Sequence, residues 1–105
     1  PQALLEHAHA LRRAKKFTEA IDAYVRAAEV DTGNPDIYFY WGLLLYDIGR
    51  YDAAVTAYNQ LIALGHAENG AVYQARAEAL RRLDRAEDAL ADYDRAAALL
   101  PNDLS

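Results

Sequence analysis

Residues 35–61 read PDIYFYWGLLLYDIGRYDAAVTAYNQL, and the spacing within that stretch decides the fold. Its apolar and small residues recur at three- and four-residue steps, as in Tyr38, Trp41, Gly42 and Leu45, and never alternate over a strand's length. That is the signature of a helix face rather than a strand. Just upstream, Asn34 followed by Pro35 supplies an N-cap and a first helical residue that needs no N–H. Gly49 supplies a left-handed helix end before the second run begins. The stretch therefore predicts two helices joined by a short turn.

Outward from it, the same pattern returns on both sides. Phe17, Ala20, Tyr24 and Ala27 recur as Tyr51, Ala54, Tyr58 and Leu61 at a constant offset of 34. They recur again as Ala86, Ala89, Tyr93 and Ala96 at an offset of 35, so one extra residue sits in the second connector. A period of this size marks stacked supersecondary units. Leu4, Ala8 and Leu11 open the first unit, and Tyr73, Ala77 and Leu80 open the third. Gly65, Asn69-Gly70 and Pro101 punctuate the rest. The spacing predicts helices over 2–14, 18–31, 36–48, 52–64, 71–83 and 87–99, an all-α chain. With 105 residues it forms one domain, 1–105, in units of approximately 1–34, 35–69 and 70–103. Gly42, Ala20, Ala54, Ala77 and Ala89 stand where paired helices must approach closely. Tyr24, Tyr58 and Tyr93 are expected to pack toward the next hairpin, so that each unit needs its neighbour.

These residues resemble the tetratricopeptide repeat family. The second unit carries the likeness in Tyr38, Gly42, Gly49, Tyr51, Ala54 and Tyr58, and the third in Tyr73, Ala89, Tyr93 and Pro101. The chain departs from the pattern at several points. His7 and Arg76 replace a leucine, Lys15 and Asp84 a turn glycine, Leu61 a small residue, and Thr32 and His66 a connector proline. The resemblance implies a right-handed α-α superhelix whose concave wall is built from the first helix of each hairpin. It also implies that a partner lies in that groove against Leu5, His9, Arg12, Arg13, Asp36, Phe39, Leu43, Tyr46, Gln74, Glu78, Arg81 and Arg82. One subgroup of the family grips the carboxylate of chaperone tails with Lys and Asn. The equivalent positions here are Leu5, His9, Leu43 and Ala75, so that clamp is absent.

The residues have a chemistry of their own. Phe39, Leu43 and Tyr46 lie on one side of a helix that commits Tyr38, Gly42 and Leu45 to the other, giving it two apolar faces. The second face either seats hydrophobic anchors of a peptide or packs between neighbouring first helices. Arg12, Arg13, Arg81 and Arg82 suit a ligand with acidic flanks, because a guanidinium binds a carboxylate through two hydrogen bonds. The bland alternative is that they face solvent and complement helix dipoles.

Other chemistries find little support. Cysteine is absent, the only serine is Ser105, and His7 and His9 diverge by about 200° on a helix and cannot share an ion. Glu19, Asp22, Asp88, Asp92 and Asp94 are expected on solvated faces. No catalytic residue, metal site or cofactor is expected. A net charge of -5 argues against general nucleic-acid binding. No apolar run approaches the roughly 20 residues that span a bilayer, and no signal-like segment opens the chain, which leaves localisation at the cytoplasmic default. The start at Pro1 suggests a segment excised from a longer protein.

The expected function is a protein-interaction scaffold holding a peptide or protein segment. Two alternatives accompany it. Leu90, Tyr93, Ala97, Leu99 and Leu100 give the last helix an apolar face suited to homo-oligomerisation or further repeats. Chaperones for secreted translocator proteins are similar in having three such repeats and an apolar groove.

Overall fold

The computed structural model describes residues 2–65 and 69–99, and they form six helices: α1 (Gln2–Arg13), α2 (Phe17–Val30), α3 (Pro35–Asp47), α4 (Tyr51–Ala63), α5 (Gly70–Arg82) and α6 (Ala86–Leu99). No strand occurs among the described residues. Pro101 and Leu100 lie outside them. Local chemistry sets the boundaries. Asn34 Oδ1 accepts the Asp36 N–H at 3.0 Å with Pro35 in the first turn, and Asn69 Oδ1 accepts the Ala71 N–H at 3.0 Å. Each satisfies an N–H that the helix itself cannot pair.

The turns inside the hairpins use left-handed backbone. Gly49 supplies it at φ 85°, whereas Lys15 and Asp84 both take φ 63° with a side chain attached. A Cβ in that region is unfavourable, and lysine lacks the short polar group that eases it for aspartate. Lys15→Gly is therefore expected to stabilise the chain by about 0.5 to 1 kcal/mol, read as a raised urea midpoint with an unchanged m-value.

Helices pair as α1 with α2, α3 with α4 and α5 with α6, and the hairpins stack in order through α2 on α3 and α4 on α5. Gly42 makes the middle hairpin possible. A Cβ there would meet Tyr58 Cε1 at 2.4 Å and Cζ at 2.8 Å, so the missing side chain is the space the ring occupies. The three repeat tyrosines each engage the first helix of their own hairpin, while Tyr24 and Tyr58 also share buried clusters with residues of the next hairpin. Tyr24 Oη meets His9 Nδ1 at 2.7 Å, Tyr93 Oη donates to Glu78, and the Tyr58 ring lies on Gly42. Aliphatic side chains join the hairpins. Ile37 and Leu44 of α3 are buried in the first cluster, while Val72 and Ala79 of α5 are buried in the second.

Asp92 departs from the sequence expectation. Expected in solvent, it is only 1% exposed. Arg76 of α5 explains this, donating from Nε at 2.6 Å and Nη2 at 2.8 Å to the two carboxylate oxygens, while Arg95 Nη1 donates at 2.6 Å. A buried carboxylate persists only where charge and hydrogen bonds replace its water. The Asp92 hydrogen bond in turn holds the Arg76 pKa above its ordinary value. Arg76 also donates from Nη1 to Asn59 Oδ1 of α4 at 2.8 Å, so one side chain closes the third hairpin and fastens it to the second.

Candidate functional site

The first helices stand side by side, with α3 in the middle. From α1, His9 meets the Tyr40 ring edge-on at 4.5 Å, and the Arg12 guanidinium lies over the same ring at 5.7 Å. From α5, Arg82 lies over Tyr46 at 5.9 Å and Tyr51 at 6.0 Å, and its Nε donates to Tyr46 Oη at 3.2 Å. Phe39, Tyr40, Leu43 and Tyr46 remain partly exposed between these clasps. The result is an apolar, aromatic strip on α3 with a stacked arginine toward each end. Such guanidiniums keep donors free while resting on a ring face.

The expected site residues separate into groups. His9, Arg12, Tyr46 and Arg82 take part in the clasps, and Phe39 and Leu43 of α3 and Glu78 of α5 are partly exposed on the first helices. Leu5 does not line the wall, being 5% exposed within the first core cluster. The Arg81 charge is matched by Glu78 at 2.8 Å, and the same bond, with the Tyr93 hydroxyl, lowers the Glu78 pKa. Arg13, Asp36 and Gln74 are exposed around the strip. Asp36 and Phe39 also line a hollow of about 290 Å³ with Pro35, Tyr40 and Ala71. Tyr40 and Tyr51 were missed, although the run Tyr38-Phe39-Tyr40-Trp41 signalled Tyr40: four successive aromatics cover every side of a helix.

The floor of the wall repeats with a variation. At the first and third hairpins the tyrosine hydroxyl meets one residue of the first helix, His9 or Glu78, and the residue at the equivalent repeat position of the middle hairpin is Leu43. Histidine and glutamate bond it, but leucine cannot, and Tyr58 Oη is buried without a hydrogen-bond partner among the described residues. Burial raises the Tyr58 pKa, with the Asp47 charge adding to the effect.

Burial, assisted by Arg12, lowers the His9 pKa below the ordinary 6.5. The unfolded chain therefore binds this proton more readily than the folded chain. Stability from neutral His9 is complete above the ordinary value and is lost as pH falls through it to the lower folded value. Thermal unfolding between pH 7.5 and 5 is expected to show this loss, and His9→Gln, whose amide can bond the Tyr24 hydroxyl without titrating, is expected to remove it.

Among the described residues no three His, Cys, Asp or Glu side chains are grouped to hold a metal, and no helix is long and apolar enough to cross a membrane.

With this geometry established, comparison with known proteins adds the following. A family model described as tetratricopeptide repeat matches residues 5–67 and 41–103. No curated protein matches the chain. Among solved structures, the first such domain of Spaghetti (RPAP3), bound to the HSP90 peptide SRMEEVD, is 27% identical, with a TM-score of 0.88 over 96% of this chain and 79% of that one. A MamA structure (AMB-1) is 24% identical, with a TM-score of 0.84 over 91% of this chain but only 52% of its own. The Yersinia enterocolitica type III secretion translocator chaperone SycD is 18% identical, with a TM-score of 0.88 over 96% of this chain and 76% of that chain.

Proposed function

Because this chain belongs to the tetratricopeptide repeat family, we propose that it is a protein-interaction scaffold whose α1–α3–α5 wall is a concave groove for a peptide or protein segment. The observation that carries this is the α3 strip of Phe39, Tyr40, Leu43 and Tyr46, half-buried and clasped by Arg12 and Arg82. Half-buried aromatics on a rigid wall lose little entropy when covered, and each anchor a partner buries there contributes about 1.5 to 3 kcal/mol. The segment that fits has one or two large apolar residues with acidic residues nearby for the arginine forks. A family member bound to the HSP90 peptide SRMEEVD supports a peptide as ligand. Leu5, His9, Leu43 and Ala75 occupy the clamp positions, so recognition rests on anchors along the segment and not on a free terminal carboxylate.

Leu43→Glu tests the groove, and the fold itself supplies the control. Glu78 occupies the equivalent position in the third hairpin and accepts from Tyr93, so a glutamate at 43 meets the Tyr58 hydroxyl in the same way. Helical content and melting temperature are expected to hold, while affinity for segments selected from a peptide array falls about a hundredfold. Equal affinity for parent and variant would remove the groove from the reading.

A second reading, self-association, is favoured by Leu90, which stands 61% exposed on α6. Leu99 is exposed as well, but α6 turns it to the opposite side, and Tyr93 packs inward on the third cluster. The apolar face of the last helix is thus narrower than its sequence suggests and centres on Leu90.

A further inference from the structure

The outer faces of the first and last hairpins carry residues that repeat register equates with those of the junction the chain makes twice internally. On the donor side, one aliphatic residue of each second helix bridges to the following hairpin. Ile21 of α2 packs against both the first and second clusters, and Val55 of α4 against both the second and third. The next residue in that series is Leu90 of α6.

The receiving side is repeated too. Val55 and Asn59 border a notch whose far wall includes Arg76, Leu80 and Asp92. On the first hairpin the equivalents of those three are His7, Leu11 and Ala23, and with Leu4 they line an outward-facing notch of about 480 Å³. Two carboxylates, Glu19 and Asp22, also line it with Arg26, and Asp22 is paired with Arg26 at 3.2 Å.

Polar matching selects the occupant. Across the second junction Asn59 accepts from Arg76. The corresponding residues at the first junction are Val25 and Trp41, a largely apolar pair in which the Trp41 indole N–H is buried without a hydrogen-bond partner among the described residues. On the two outer faces they are Asp94 on α6 and His7 on α1, both exposed, an acid and a base. The second junction thus carries a hydrogen-bonded pair at this position, and the outer faces bring a polar pair together only if the last hairpin of one molecule meets the first hairpin of another.

We propose that a second copy of this chain docks head to tail, with Leu90 of one copy entering the notch of Leu4, His7, Leu11 and Ala23 on the next and Asp94 meeting His7. The proposal rests on the self-association reading and gives it a geometry. The two faces differ, so the contact is heterologous. Each added copy presents a new Leu90, and association continues the superhelix without closing.

Sedimentation of the full 105-residue chain over a wide concentration range, with two face-blocked variants, tests this. Leu90→Asp blocks the donor face and His7→Asp the receiving face. Both positions are exposed, and circular dichroism checks that the helices persist. The parent is expected to grow with concentration to no limiting size. Each variant alone is expected to associate at least about tenfold more weakly, a loss of about 1.4 kcal/mol per contact. Mixed together they are expected to stop at a one-to-one dimer, because each retains one intact face. His7→Asp with Asp94→Lys is expected to regain growth. A parent monomeric at every concentration would overturn both self-association and the head-to-tail contact. A closed dimer abolished by Leu90→Asp but untouched by His7→Asp would keep self-association and overturn the head-to-tail contact alone.

Discussion

Asp92→Ala is expected to destabilise the chain by about 3 kcal/mol, because removing one partner of a buried ion pair leaves the other uncompensated. Arg76 would lose both of its carboxylate bonds, and it stands close enough to Arg95, through their shared partner, for the two cations to repel. A loss of this size is a large share of what a domain this small holds in reserve. Arg76→Leu with Asp92→Ala is expected to recover most or all of it. The residues at the equivalent repeat positions of the middle hairpin are Trp41 and Ala57, with no ion pair, and well-packed apolar replacements of buried ion pairs are often neutral or better. The pair is therefore a substitute for packing, and urea unfolding of the single and double variants separates the two contributions.

Gly42→Val is expected to cost about 3 kcal/mol through overpacking at the α3–α4 crossing. The first atom added already falls 2.4 Å from a Tyr58 ring that is itself fully buried, so neither partner has room to yield. Glycine is a poor helix former, and an exposed position would gain from the change. A net loss therefore isolates the steric term. Tyr58→Leu in the Gly42→Val background is expected to return part of the stability, giving a coupling energy between two positions that sequence alone pairs only through the repeat.

Periodicity revealed much of this in advance. Apolar steps of three and four, with Asn34-Pro35, Gly49 and Asn69-Gly70 as punctuation, located all six helices to within about a residue. The likeness between units identified the fold. What escaped were features created by contacts between helices. Asp92 looked solvated because a pattern read along α6 contains no trace of Arg76, which arrives from α5. Leu5 was assigned to the wall by its place in the repeat, but the core of the first hairpin takes its side chain inward. The tyrosines were legible as large packing residues, yet the hydroxyl partners were not, His9 for Tyr24 and Glu78 for Tyr93, with none for Tyr58 among the described residues. The Phe39, Leu43 and Tyr46 strip was legible because α3 carries more apolar residues than one buried face can use.

The same distinction bears on the arginines. Four were expected to flank the strip as a group. Arg12 and Arg82 are stacked on its aromatic rings, Arg81 is engaged by Glu78, and Arg13 is exposed at the end of α1. Charge on this wall is thus concentrated at two defined points, which favours a ligand whose acidic residues are spaced to meet them.

Amide and side-chain NMR shifts recorded while a segment selected from a peptide array is added test the central claim most directly. Docking in the groove is expected to move the signals of Phe39, Tyr40, Leu43, Tyr46 and the Arg12 and Arg82 side chains, leaving the outer surfaces of α2, α4 and α6 unchanged. Shifts confined to those outer surfaces, with the α3 strip silent, would contradict it.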